Sequence, residues 1–214
     1  MGQLATDSLS QQGNWEHAYQ HTRRNLRTRR ERILRFNLPL DARILDYGCG
    51  DGLDLQCFRA LGYKNVIGVD YSAGLLRSLT NDLIVQADCE QTPFADESFD
   101  VVFVNSVFHH LHVDRAIAEV RRILRPAGLL CLIEPRSGLP RSVLDFVTCS
   151  PIGAIVPSKI IQNRRVAVRI EYPEYSSWLR RDRRLSDDLQ ASGFAITLRR
   201  NTLFSLLVAA RRHP

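Results

Sequence analysis

Ile44-Leu45-Asp46-Tyr47-Gly48-Cys49-Gly50-Asp51-Gly52 sets three glycines at alternate positions, directly after a short apolar run and before a helix-like stretch opening at Leu53. Glycine there lets the backbone approach a ligand with no side chain in the way, and the helix start behind it offers unpaired N–H groups. The segment reads as a cofactor turn between a strand and a helix. A dinucleotide fingerprint would want a further glycine at position 53, where Leu53 stands. G-x-G-x-x-G therefore fails while G-x-G-x-G holds, and a pyrophosphate is not the favoured ligand.

Outward from the turn, short apolar runs alternate with helical stretches, the pattern of a parallel sheet covered on both faces. The expected strands are 43–47, 65–69, 83–86, 100–104 and 129–134, with helices over 53–61, 72–79 and 113–124 between them. Arg125-Pro126-Ala127-Gly128 is expected to stop the last helix. Val101-Val102-Phe103-Val104 and Leu129-Leu130-Cys131-Leu132-Ile133 are apolar on successive residues, as strands buried on both faces must be. Beyond Glu134 the rhythm breaks for roughly 50 residues, longer than an ordinary connection. A helix at 185–192 and two strands, 194–199 and 203–209, follow; Arg200-Asn201-Thr202 between them suggests an antiparallel edge.

The strand ends carry polar groups suited to a nucleoside. Asp46 precedes the turn, where a carboxylate can receive a cationic amino group or organise the loop through its amides. Asp70 ends the second strand, placed to accept from both hydroxyls of a ribose. Asp88 can accept from an adenine exocyclic amine while the Cys89 amide donates to a ring nitrogen. Three consecutive strand ends thus converge on one crevice, where open α/β sheets bind ligands.

The stretch from Arg43 to Glu134 resembles the class I S-adenosylmethionine-dependent methyltransferases of the ubiquinone/menaquinone-biosynthesis type (methyltransferase type 11). The likeness rests on LDYGCGDG, on VIGVD ending at Asp70, on ADCEQTPFADESFDVVFVNSVFHHL, and on EVRRILRPAGLLCLIEP. It implies a doubly wound, Rossmann-like α/β sheet of seven strands, mostly parallel, with the last strand antiparallel. It also implies S-adenosylmethionine as cofactor, with S-adenosylhomocysteine as product. On that resemblance Gly48 and Gly50 back the methionine part, Asp70 holds the ribose, Asp88 and Cys89 face the adenine, and Asn105 and Ser106 flank the sulfonium, with Cys49 and Tyr71 as further candidate cofactor residues. Tyr47 and Leu53 depart from the commonest pattern.

Methyl transfer from a sulfonium is an in-line displacement whose leaving group needs no proton, so positioning and desolvation supply most of the catalysis. A base matters when the acceptor is a hydroxyl or an acidic carbon. His109 and His110, just past the fourth strand, and Glu134, ending the fifth, are the candidate catalytic residues, with packing or loop anchoring as their structural alternatives. Asn105-Ser106-Val107-Phe108 is not the Asn/Asp-Pro-Pro-aromatic turn of adenine-amine methylation. The fourth strand also lacks the Pro-Cys nucleophile of cytosine carbon-5 methylation.

Length and composition suit one elaborated domain: 214 residues, 44% hydrophobic and 24% charged. An N-terminal helical cap is expected over 1–36, with the methyltransferase domain over 37–214. Within the cap, Tyr19, Leu26 and Ile33 form a narrow apolar face, and Tyr19 is a candidate to close on the methionine end. A lid insertion is expected over about 136–184, its Tyr172, Tyr175 and Trp178 shaping a pocket for a hydrophobic or aromatic small molecule.

The net charge of +6 is unevenly placed. Residues 21–35 hold seven arginines against one acid, residues 164–184 seven against three, and residues 199–214 four against none. This basic distribution suits an anionic partner or a solvated face. An RNA methyltransferase gripping phosphate and a non-catalytic cofactor-binding module are therefore the alternatives, with nucleic acid possible but not favoured. No apolar run approaches bilayer-crossing length, and Met1–Gln12 lacks the order of a secretory signal, so a cytoplasmic place is expected. The five scattered cysteines suggest neither disulfides nor a metal site and read as reduced core residues.

Overall fold

A computed structural model describes residues 25–80, 83–155, 161–162, 165 and 175–214. Within them the order is α1 (Leu26–Leu34), β1 (Ile44–Tyr47), α2 (Leu53–Ala60), β2 (Val66–Asp70), α3 (Ala73–Leu76), β3 (Ile84–Gln86), β4 (Phe99–Asn105), a 3-10 turn (Phe108–His110), α4 (Val113–Ile123) and β5 (Leu124–Pro135). Then come α5 (Leu139–Cys149), α6 (Pro151–Ile155), α7 (Leu185–Ala191), β6 (Phe194–Asn201) and β7 (Ser205–Arg212). Residues 175–181 are also helical.

The seven strands form one sheet in the order β3-β2-β1-β4-β5-β7-β6. β1 pairs parallel with β2 and β4, β2 with β3, and β4 with β5, while β7 runs antiparallel to both β5 and β6. This is the expected Rossmann-like sheet with its last strand reversed. Order reverses at β1 and β4, so their C-terminal ends open the crevice in which such sheets bind ligands.

Burial follows from having helices on both faces. Every residue of β1 is buried, and so are the four apolar residues Val101 to Val104 of β4. One cluster joins Leu45, Tyr47, Val102, Val104 and Phe108 to Ile117, Val120 and Trp178. The opposite cluster gathers Ile33 and Phe36 with Ile44, Phe58, Phe103 and Ile133. The expected apolar stripe on the first helix is thus used at Ile33 and, more shallowly, at Leu26. Trp15 and Tyr19 lie outside the described residues.

Three boundaries differ from expectation. Pro126 and Gly128 do not interrupt the fifth strand: Leu124 already pairs with Phe99, and a register shift between Phe99 and Val101 absorbs the turn-like residues within β5. Gly128 is required by close packing, since a Cβ there would lie 2.8 Å from the Arg125 carbonyl oxygen. Asn201 continues β6 opposite Leu206, so the connection is 202–204 and β7 starts at Ser205. The helix after β2 is only Ala73–Leu76, started by the Ser72 side chain accepting from the Leu75 N–H. Four of the cysteines are free and buried, whereas Cys149 is exposed on α5 and is not a core residue.

The described residues of the segment 136–184 are fastened to the sheet. Trp178 Nε1 donates to the Pro135 carbonyl at 2.7 Å, and Asp182 accepts from the Ser137 N–H and hydroxyl. Arg181 bridges Asp114 of α4 and Asp188 of α7. Among the described residues no helix is long and apolar enough to cross a membrane.

Candidate active site

The glycine turn leaves β1 with Gly48, Gly50 and Gly52 at φ of 76°, 53° and 75°, a region closed to most side chains. At Gly48 the second constraint is contact: a Cβ would meet Val107 Cγ2 at 2.4 Å. The turn therefore lies directly against the loop that follows β4.

Asp70, at the end of β2, reaches across to the turn. Its Oδ2 accepts from the Gly50 N–H at 2.8 Å and its Oδ1 from the Ser72 N–H at 2.8 Å. Burial raises its pKa, against the lowering effect of these amides. A carboxylate has about four lone-pair directions, and with the Tyr71 amide also directed at it about one remains for a further donor. Tyr71, beside it, is exposed.

Asp46 is buried at the end of β1, and its Oδ2 has no hydrogen-bond partner among the described residues. Burial, then the charges of Asp54 and Asp70, hold its pKa well above the usual carboxylate range, with Arg29 opposing them. Asp54, in the first turn of α2, is equally enclosed: its Oδ2 takes Arg29 of α1 and the Asn105 side-chain amide at 2.9 Å, and its Oδ1 has no partner. Two buried carboxylate oxygens without donors, close to the glycine turn, are costly unless a cation pairs with them.

Past β3, Asp88 is exposed and its Oδ1 accepts from the Glu90 N–H at 2.8 Å, while Cys89 is buried. Thr92, further along, is clamped to α4 by Glu119, which also holds Arg122. At the end of β4, Asn105 is committed to Asp54, and Ser106 takes a φ of 64° with its N–H on the Ile133 carbonyl. All the expected cofactor residues that lie among the described ones thus stand at or just after the C-terminal ends of β1 to β4.

The expected acceptor-side residues converge at the next strand end. Glu134 is buried; its Oε1 accepts from the Val107 and Phe108 N–H groups, each at 2.7 Å, and its Oε2 meets His109 Nδ1 at 2.7 Å. The His109 and His110 rings lie 3.8 Å apart between centroids, inclined at 45°. Burial, then the neighbouring His109, pushes the His110 pKa well below the ordinary histidine value. Tyr175 of the insertion packs edge-on to His109 at 6.2 Å, and its ring and that of Phe204 flank the Arg141 guanidinium. His112, by contrast, is exposed and paired with Glu90. Among the described residues no cluster of His, Cys, Asp or Glu is arranged to hold a metal ion.

Sequence reasoning overlooked Asp54, Arg29 and Val107. Asp54 carries a weak signal, an acid two residues after the last glycine. Arg29 is one of seven arginines in its segment, and nothing local distinguishes it.

A methyltransferase-domain family model matches residues 45–132, the segment that holds these strand ends. A demethylmenaquinone methyltransferase of Clavibacter sepedonicus is 31% identical over 183 residues, covering 79% of this chain and 72% of the relative. The chain belongs to the class I S-adenosylmethionine-dependent methyltransferases. A malonyl-[acyl-carrier protein] O-methyltransferase of Methylococcus capsulatus is 37% identical over 101 residues, covering 43% of this methyltransferase and 37% of that relative. The fold likeness extends further: a solved S-adenosylmethionine-dependent methyltransferase from Mesorhizobium loti, 23% identical, aligns with a TM-score of 0.57 over 84% of this chain and 96% of that one. With the first curated relatives, the match spans less than half of their length.

Proposed function

We propose that this methyltransferase transfers the methyl group of S-adenosylmethionine to a small, hydrophobic or aromatic acceptor, with His110 as the base for a hydroxyl or acidic carbon. The observation that carries this reading is the acceptor-side wall. Buried Tyr175 lies edge-on to His109, and Trp178 is tied to Pro135, so apolar and aromatic surface closes over the ends of β4 and β5. Two relatives are named for demethylmenaquinone and malonyl-[acyl-carrier protein], which supports a small acceptor group. Within the basic segments, Arg181 and Arg199 are bonded to carboxylates and a hydroxyl, which leaves these two poorly placed for gripping a phosphate backbone.

The donor-free oxygens of Asp46 and Asp54 fit the cofactor's α-ammonium, the remaining acceptor capacity of Asp70 fits a ribose hydroxyl, and Asp88 with the Cys89 N–H fits adenine. Bound there, the cofactor supplies an electrophilic methyl on a sulfonium. The remaining work belongs to the chain. Val107 shapes the floor beside Gly48, and Glu134 holds Val107, Phe108 and His109 in place. His110, kept neutral by burial, takes the acceptor proton on an unprotonated ring nitrogen as the acceptor atom becomes nucleophilic.

Incubation with methyl-labelled S-adenosylmethionine and separate panels of phenols, quinols, carboxylates and RNA tests the reading. Label in a small acceptor, reduced about 100-fold by His110→Ala, is expected. Label in RNA alone would overturn it.

A further inference from the structure

Tyr47 ends β1, is fully buried, and lies edge-on to Phe108 at 6.3 Å. Its hydroxyl does not reach a neighbour in its own strand or in β2. It donates to the backbone carbonyl of Cys89, just past β3 and two strands away across the sheet. That carbonyl belongs to the peptide group shared with Glu90, whose N–H points the opposite way across a planar trans unit. The Glu90 N–H donates to Asp88 Oδ1 at 2.8 Å. The result is a line of two hydrogen bonds through one peptide: Tyr47 hydroxyl to Cys89 carbonyl, then Glu90 N–H to the Asp88 carboxylate. Each bond polarises the peptide in the sense that strengthens the other.

The support matters because β3 is weakly held. It has three residues, stands at the sheet edge, and among the described residues pairs only with β2. Beyond it the Glu90 carboxylate accepts from the His112 N–H and pairs with the His112 ring, and Thr92 is anchored by Glu119. Those bonds hold the turn through the Glu90 side chain, whereas the Cys89–Glu90 peptide itself is held across the sheet by Tyr47. Cys89 itself is buried in the cluster that contains Tyr47 and Phe108. Burial keeps the Tyr47 phenol protonated and therefore a donor.

We propose that Tyr47 is a positioning residue for nucleobase recognition: through the Cys89–Glu90 peptide it orients the Asp88 carboxylate toward the exocyclic amine of adenine. The inference rests on the adenine placement proposed above. It assigns a role to the hydroxyl of a tyrosine inside the glycine motif, not to its ring, which serves packing against Phe108.

The test is titration of the full chain with S-adenosylhomocysteine and with S-inosylhomocysteine, which lacks the amine, in wild type, Tyr47→Phe, Asp88→Ala and the double variant. Tyr47→Phe keeps the ring, and working at about 15 °C, near the temperature of greatest stability, keeps a variant short of one hydrogen bond folded. Wild type is expected to prefer the adenosyl ligand. Tyr47→Phe is expected to weaken that ligand about five- to tenfold, the equivalent of one neutral hydrogen bond, and the inosyl ligand by much less. In the Asp88→Ala background the added Tyr47 change is expected to leave the preference unaltered. If wild type has a preference and Tyr47→Phe retains it in full, even with a lowered Tm, the hydroxyl is merely structural and the inference fails. If wild type binds both ligands equally, the adenine placement itself fails and takes the inference with it.

Discussion

Glu134 Oε2 lies 2.7 Å from His109 Nδ1, while the other oxygen of the same carboxylate caps the N–H groups of Val107 and Phe108. One side chain at the end of β5 thus sets the loop that touches Gly48 and the ring on which His110 rests. In Glu134→Gln, Oε1 can still accept both amides, but the new amide nitrogen must donate to His109 Nδ1 and drive the ring proton to Nε2. We predict a folded variant destabilised by about 1.5–3 kcal/mol, with kcat lowered about tenfold or more and little change in cofactor Kd. Nitrogen NMR of His109 should show the tautomer exchange; an unchanged kcat would remove Glu134 from the positioning of the site.

His110 has its pKa well below the ordinary histidine value through burial and then the neighbouring His109. As a base it is therefore unprotonated at neutral pH, and kcat/KM should stay level as pH falls through about 6.5, declining only well below it. The linkage has the same direction. The unfolded state binds the proton more readily in that window, so the residue's contribution to stability is present above about 6.5 and is lost as pH falls toward the lowered folded value. Denaturant titration of His110→Gln between pH 7 and pH 5 should show a shallower loss than wild type.

Asp46 has the opposite sign. Its folded pKa is raised chiefly by burial, so its contribution is favourable below about pH 3.8 and turns into a penalty as pH rises through the folded value. Asp46→Asn should raise the ligand-free Tm at pH 7, lose that advantage in acid, and weaken S-adenosylhomocysteine by about tenfold or more. Thermal scans at two pH values with a parallel titration check it; unaltered affinity would contradict the ammonium role.

At Gly48 two separate obstacles face a side chain, the φ of 76° and the 2.4 Å approach to Val107. Gly48→Ala should cost about 1–2 kcal/mol from the backbone alone and more from the clash, with cofactor binding lost. Adding Val107→Ala relieves only the second, so partial recovery of stability in the double variant is expected. Complete recovery would show that the backbone angle carries no penalty.

Trp178→Phe removes the bond to the Pro135 carbonyl while preserving most of the buried ring. Expected are a loss of about 0.5–1.5 kcal/mol, a several-fold rise in acceptor KM, and an unchanged Kd for S-adenosylhomocysteine. If the KM for S-adenosylmethionine rises instead, the insertion serves the cofactor side.

The strands, and the placing of Asp46, Asp70, Asp88 and Asn105 at or near their ends, were legible because their signals are local. Val101 to Val104 can be apolar in succession only if both faces are covered, and Gly48 can precede a helix with positive φ only if the chain turns sharply. What escaped depends on distant partners. Arg29 and Asp54 meet across 25 residues, Tyr47 and Cys89 across 42, and neither pair leaves a periodic trace. Pro126 and Gly128 misled for a different reason: they do perturb the chain, but a register shift lets β5 continue through them. The insertion disclosed its aromatic content but not its anchors, because Asp182 binds Ser137 and Trp178 binds Pro135 through groups of no unusual composition.

The placing of β7 between β5 and β6 governs how the molecule is made. During synthesis from the N-terminus, β5 has no neighbour on one side until Ser205–Arg212 has left the ribosome, since Leu132, Ile133 and Glu134 pair with Val208, Leu207 and Leu206. Until then the strand carrying Glu134 is a bare apolar edge, able to pair with another nascent chain. The end of the crevice formed by β1 to β4 can assemble early, whereas the end that carries Glu134 is finished among the last events of folding, which makes that interval the one in which a chaperone would matter most.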